Sequence, residues 1–178
     1  YVAYHDTEWG VPVRDEGALF ERLILEGAQA GLAWITILRK REGYRTAFDG
    51  FDARRIARYG EEDRARLLSD ASIVRNRLKV DAAIDNARAL LALHERGESL
   101  NELLWDCVDG QPVINHWRHM ADCPSTTPLS DQLSKRLAER GFRFVGSTIV
   151  YAWMQSVGVV NDHLVDCFRH RELVRPIV

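Results

Sequence analysis

Near its C-terminal end the chain reads VVNDHLVDC, residues 159–167, which sets His163 and Cys167 four positions apart behind Asn161. Asn is a good helix N-cap, and positions i and i+4 stack on one helical face. A helix starting at Asn161 would therefore aim an imidazole and a sulfur at one point. Such a pair supplies half of a structural zinc site, which commonly takes four Cys or His ligands. The same two residues would equally suit a surface His beside a small buried Cys.

The second chemical candidate is an acid in an apolar setting. Asp15 can cap a helix in which Leu19, Phe20, Leu23, Ile24 and Gly27 follow helical spacing, and Glu26 falls in the centre of that stripe. A buried carboxylate is costly unless something pairs with it or hydrogen-bonds to it, so a partner must come from the protein or from a ligand. The stretch LEGAQAGLAW surrounds the acid with Gly27, Ala28, Ala30, Gly31 and Ala33, which would leave room beside it. Trp34 follows directly, and the opening YVAYHD brings Tyr1 and Tyr4. An acid among flat rings suits a planar, polar, electron-poor ligand such as a nucleobase, sandwiched by the rings and donating to the carboxylate.

A third grouping lies in LSKRLAERGFRFVGSTIVYAWM, which reads as helix, short turn, helix. The first turn of the second helix would expose the backbone N–H groups of Gly146, Ser147 and Thr148, an anion site suited to DNA phosphate or simply a packed helix pair. Arg75, Arg77 and Lys79 form a basic cluster expected on a solvated face, and His116 and His119 are expected to face solvent.

The elements that must carry these residues are helical. Besides the helix after Asp15, helices are predicted over AWITILRKREGYRTAF, 52–59, 61–69, RNRLKVDAAIDNARALLALHERG and 99–107. Two more run from Ser130, read as a cap, to Gly141 and through STIVYAWMQSVG to Gly158. Residues 110–128 hold three of the five prolines and little periodicity, which suggests a loop or a joint between lobes. The fold class is all-α, and 178 residues suit one domain, 1–178. A net charge of −2 gives no bulk signal for nucleic acid, so any basic surface must be local. Three scattered cysteines exclude a disulfide framework and point to the cytoplasm. No apolar run approaches the ~20 residues of a membrane span. The chain opens at Tyr1 rather than Met, so residues upstream are expected.

Taken together, YVAYHDTEWGVP, LFERLILEGAQAGLAWITILRKREGYR, IVRNRLKVDAAIDNARA, RGFRFVGSTIVYAWMQSVG and VNDHLVDC resemble, in order and over nearly the whole chain, the DNA-3-methyladenine glycosylase I family. The resemblance implies a helix-hairpin-helix glycosylase fold in two helical lobes. It also implies a base pocket of Glu26, Tyr1, Tyr4 and Trp34, and a structural zinc ion tying the chain ends together. His5, His163 and Cys167 match three of its ligand positions, and the fourth would be a Cys upstream of Tyr1.

The implied reaction is hydrolysis of the N-glycosidic bond of 3-methyladenine in double-stranded alkylated DNA after the base is flipped out. Glu26 would accept from the exocyclic amine, Trp34 would stack and Tyr4 would close the other side. Leu32, beside Gly31, would fill the gap in the duplex. The helix after the hairpin holds no Lys for a Schiff base, which predicts a monofunctional enzyme, and a monomer suffices for the chemistry. The rivals are a zinc-dependent hydrolase built on His5, His163 and Cys167, and a DNA-binding module without enzymatic activity.

Overall fold

Ten α-helices and two very short strands are formed by residues 1–174, the part of the chain that this computed structural model describes. In chain order the helices are α1 (Val2–Thr7), α2 (Glu16–Gln29), α3 (Trp34–Ala47), α4 (Ala53–Ile56), α5 (Glu61–Ser69) and α6 (Arg77–Glu95). They continue as α7 (Leu100–Trp105), α8 (Pro128–Glu139), α9 (Ser147–Ser156) and α10 (Phe168–Val174). Local chemistry sets their ends. The Asp15 carboxylate accepts from Ala18 N at 2.8 Å to start α2, and α5 opens on Glu61, Glu62 and Asp63, acids that its N-terminal dipole favours. Gly97, Gly141 and Gly158, with φ of 75°, 87° and 73°, close α6, α8 and α9 in the left-handed conformation.

Helix α8 begins earlier than expected. Thr127, not Ser130, is the N-cap: Pro128 takes the first helical position, and Ser130 Oγ accepts from Thr127 N at 2.8 Å in a capping box. Lys79 is not solvated either. Its ammonium donates to Ala28 O at 2.8 Å and Ala30 O at 2.6 Å, binding the carbonyl end of α2 to α6. His116 and His119 are exposed, as read from the sequence.

Helix α2 is the central element, packed against α3, α6, α7 and α9. Leu19, Ile37, Ile84, Leu104, Leu137 and Trp153 belong to one continuous buried cluster. Polar atoms at its edges are satisfied: Trp153 Nε1 donates to Leu19 O at 3.1 Å, and Trp105 Nε1 to Val13 O at 2.9 Å.

The all-α reading holds except for one parallel bridge between β1 (Val113–Ile114) and β2 (Val160–Asn161), with Val113 opposite Val160 and Ile114 opposite Asn161. It lays the 110–128 segment against the end of α9, so that segment is a wall of the molecule and not merely a joint. It also overturns the helix expected from Asn161. Held in the bridge, Asn161 is extended, and its Oδ1 accepts from His163 N at 3.2 Å in a local turn. The residue makes the bond that a cap makes, but no helix follows until Phe168. His163 and Cys167 thus sit on a loop.

The N-terminal segment crosses the end of α9 at backbone contact. Val13 N donates to Val157 O at 3.0 Å, and a Cβ added to Gly158 would lie 2.5 Å from Val11 C and Pro12 N. This crossing sets α1 beside the 162–167 loop. No described helix is long and apolar enough to cross a membrane.

Candidate base-binding cavity and metal-ligand cluster

A cavity of about 530 Å³ opens where α1, the C-terminal half of α2, α9 and the 162–167 loop meet. Glu26, Tyr1, Tyr4 and Trp34 all line it, and so do His5, His163 and Cys167. The two groups that the sequence presented separately share one space.

Glu26 is only 5% exposed. Burial pushes its carboxyl up to about 8, against the smaller opposing influences of the neighbouring Ser156 hydroxyl and the Arg22 guanidinium. That hydroxyl donates to Trp153 O at 2.9 Å, and Arg22 is committed to Ser156 O at 2.7 Å. The acid is therefore mostly protonated at neutral pH.

The small residues around Glu26 have other tasks than making room. Gly27 lets the turn before α9 approach, since a Cβ there would meet Phe144 Cβ at 3.3 Å. Ala28 is core, and Gly31 turns the exposed α2–α3 link at φ 76°. On the opposite wall the small residue is Ala152 of α9, which periodicity marked only as helical.

The aromatic wall also differs from a sandwich. Tyr4 and Trp34 have ring centroids 5.5 Å apart and planes inclined by 42°, so they touch each other and form one continuous face. Tyr1, 69% exposed, stands at the rim. Trp34 Nε1 is buried with no hydrogen-bond partner, a donor left for something that enters. Leu32 is half-buried against the core, with its N–H on Gln29 O at 2.7 Å and its carbonyl accepting from Gln29 Nε2.

At the other side of the cavity, Cys167 Sγ lies 3.8 Å from His5 Nε2 and 3.6 Å from His163 Nδ1, and the three atoms all fall within 4.8 Å of one another. Each imidazole is held by its remaining nitrogen: His5 Nδ1 pairs with Asp6 Oδ1 at 2.7 Å, and His163 Nε2 with Trp9 O at 3.0 Å. Burial holds His163 below its ordinary pKa, in the neutral form a metal needs. Gly10 at φ 81° makes room, because a Cβ there would come 3.0 Å from His163 Nε2. This is a donor set able to hold a metal ion.

Of the cavity residues that were not singled out from the sequence, Asp162 has the most hydrogen-bond partners. Asp162 is 3% exposed and accepts from Asn115 Nδ2 (2.6 Å), Trp117 Nε1 (2.8 Å), Tyr151 OH (2.5 Å), Gln155 Nε2 (2.8 Å) and Cys123 Sγ (3.4 Å). Despite burial, these donors keep its carboxyl below the usual carboxylate range. Its only sequence signal was an acid inside the apolar-flanked VVNDHL.

Helices α8 and α9 pack against each other across the 140–146 turn. No side chain caps α9, which leaves the first-turn amides beyond Gly146 open to an outside acceptor. The Ser147 hydroxyl is engaged with Asp131 Oδ1 at 2.5 Å and Ser130 Oγ at 2.8 Å, and Thr148 is exposed.

The chain is similar to known proteins over almost its whole length. The chain is 50% identical to DNA-3-methyladenine glycosylase 1 of Escherichia coli strain K12, over 94% of its own length and 89% of the relative's. It is 45% identical to DNA-3-methyladenine glycosylase of Haemophilus influenzae, over 94% and 90%. A crystal structure of 3-methyladenine DNA glycosylase I superposes with a TM-score of 0.93 at 54% identity, covering 94% of this chain and 92% of that one. A variant of such an enzyme in complex with 3-methyladenine superposes with a TM-score of 0.90 at 36% identity, covering 94% and 90%. Residues 1–170 match the family described as Methyladenine glycosylase, and the chain belongs to that family.

Proposed function

We propose that the protein is a monofunctional DNA glycosylase of base excision repair that removes 3-methyladenine from double-stranded alkylated DNA. The observation that carries this reading is Glu26, an acid buried beside an aromatic wall, in a cavity large enough to admit a base, with no cationic partner bonded to it among the described residues. Methylation at N3 leaves the adenine cationic and its glycosidic bond weak. The protein's share of the work is to extrude, hold and orient the nucleotide. The C1′–N9 bond breaks with its electron pair going to the base, water adds at C1′, and a proton leaves. Glu26 accepts from the exocyclic amine, Trp34 stacks, and Tyr4 and Tyr1 extend the same face. A cation arriving beside Glu26 favours loss of its proton, so the acid becomes charged as the base binds. Among the described residues no lysine lines the cavity, in keeping with simple hydrolysis.

DNA is held, on this reading, by a helix-hairpin-helix formed by α8 and α9, in which Gly146, Ser147 and Thr148 present backbone amides to a phosphate. Leu32, on its turn beside Gly31, fills the space that the flipped base leaves. The helices act as two lobes with the cavity between them. The protein works as a monomer in the bacterial cytoplasm.

His5, His163 and Cys167 fit a structural zinc ion. Bonds of about 2.3 Å to sulfur and 2.0–2.1 Å to nitrogen in a tetrahedron put S and N about 3.5 Å apart, close to the spacing found. The ion would tie the N-terminal segment to the loop after β2 and would take no part in bond cleavage.

The decisive measurement is release of free 3-methyladenine from methylated duplex DNA. Glu26→Gln is expected to lower kcat/KM by about 10- to 100-fold, and Leu32→Ala to lower it on duplex more than on single-stranded DNA. Undiminished excision by Glu26→Gln would remove the acid from the mechanism. Chelation is expected to lower Tm before it slows excision; loss of rate at unchanged Tm would favour a catalytic metal instead.

A further inference from the structure

Helix α1 is too short to set its own place. It spans six residues, its N-cap Tyr1 makes no side-chain hydrogen bond, and Tyr4 is its one buried residue. A helix of that length is not stable by itself in water, so tertiary anchors must fix the Tyr4 ring against Trp34.

His5 is one anchor, in the ligand cluster. The other is Glu8, one turn after Tyr4 on the same face. Its backbone N–H donates to Tyr4 O at 2.9 Å, so the turn that carries the ring ends on Glu8. Its carboxylate takes both arms of the Arg41 guanidinium, Nη1 on Oε2 at 2.6 Å and Nη2 on Oε1 at 3.0 Å. Arg41 stands two turns after Trp34 along one face of α3. The two helices thus meet on two rungs, Tyr4 against Trp34 and Glu8 against Arg41. Arg22 of α2 lies 3.6 Å from Glu8 Oε2 and donates to Ser156 O at the end of α9 at 2.7 Å, which ties the ion pair to both helices.

Behind the aromatic wall lies a second cavity of about 100 Å³, lined by Tyr4 and Trp34 together with Glu8, Arg22, Arg41 and Ser156. The back of the wall is therefore not close-packed, and the rings depend on the elements that carry them.

We propose that Glu8 is a positioning residue: clamped by Arg41, it holds α1 so that the Tyr4 ring meets the extruded base at working distance. This rests on the glycosylase reading above, in which Tyr4 and Trp34 form the face that the base lies against. Glu8 stands behind that face and acts through the turn it shares with Tyr4. Both side chains of the clamp are partly open to water, where an ion pair adds little to stability, so cutting it is expected to leave the fold standing.

The test is a mutant cycle on protein supplied with zinc, read as kcat/KM for release of 3-methyladenine from methylated duplex DNA. Glu8→Gln keeps the length of the side chain and removes the charge that holds the guanidinium. It is expected to lower kcat/KM about tenfold, and Arg41→Met, which opens the clamp from the other end, to lower it alike. In a Tyr4→Ala background neither substitution is expected to lower the rate further, since no ring is left to place. Asp81→Asn cuts another partly exposed pair, Arg64 Nε to Asp81 Oδ1 at 2.7 Å between α5 and α6, and is expected to leave the rate unchanged.

Full rate in folded Glu8→Gln or in Arg41→Met overturns the proposal and leaves the glycosylase reading intact. Losses that persist undiminished in the Tyr4→Ala background also overturn it, because the pair then serves folding or DNA contact and not the ring. An equal loss in Asp81→Asn defeats it on the same ground. If Glu8→Gln does not fold, Arg41→Met with and without Tyr4→Ala decides alone. Failure of the wild type to release the base defeats the glycosylase reading and this proposal with it.

Discussion

Two carboxyl groups of one cavity, each at least nine-tenths hidden from water, end in opposite states. Glu26 rises from α2 among apolar neighbours and is pushed up to about 8, whereas Asp162, in the loop after β2, stays below the ordinary carboxylate range. Burial is common to both, so burial does not decide the charge. The difference is the supply of donors: five side chains converge on Asp162, while the hydroxyl and guanidinium nearest Glu26 are bonded to backbone carbonyls. One group is available to respond to a ligand. The other is fixed before the ligand arrives.

The largest test of this contrast is Asp162→Asn. An amide in that place turns two acceptor lone pairs into donors facing donors, so the fold is expected to lose about 3 kcal/mol and Tm to fall by roughly 5–10 °C. A Tm within a degree of wild type would mean that the five hydrogen bonds contribute little to keeping the charge in place. The smaller test is Glu26→Gln followed against pH. The Glu26 proton is held more tightly in the folded than in the unfolded chain. Its contribution is therefore fully present below about pH 4.5 and is lost as the pH rises through 8. Glutamine lacks that slope. The variant is expected to match wild type near pH 5 and to exceed it by about 2 kcal/mol, roughly 5 °C in Tm, above pH 8. Parallel Tm curves from pH 5 to 9 would show that Glu26 is not perturbed.

Legibility in the sequence followed the range of the interactions. Helices α2, α5, α6 and α9 were readable because their spacing, acids and closing glycines are local signals. Glu26 was readable because one helix sufficed to place it in an apolar stripe. The start of α8 was missed although Thr127-Pro128 carried a clear local signal.

The helix expected at Asn161 failed for a longer-range reason: pairing with Ile114 holds that residue extended, and nothing in VVNDHL announces its partner. The role of Asp162 was likewise invisible. Its donors come from residues 115, 117, 123, 151 and 155, which only the folded chain brings together. The contact between Tyr4 and Trp34 depends on how α1 lies over α3, and composition gave only the presence of two rings.

The crossing of the N-terminal segment under Gly158 has a temporal meaning. One side of the cavity comes from the segment 1–34 and its far side from residues near 160, so neither segment encloses it alone. While the chain is being made, the cavity therefore stays incomplete until the late segment docks on the early one.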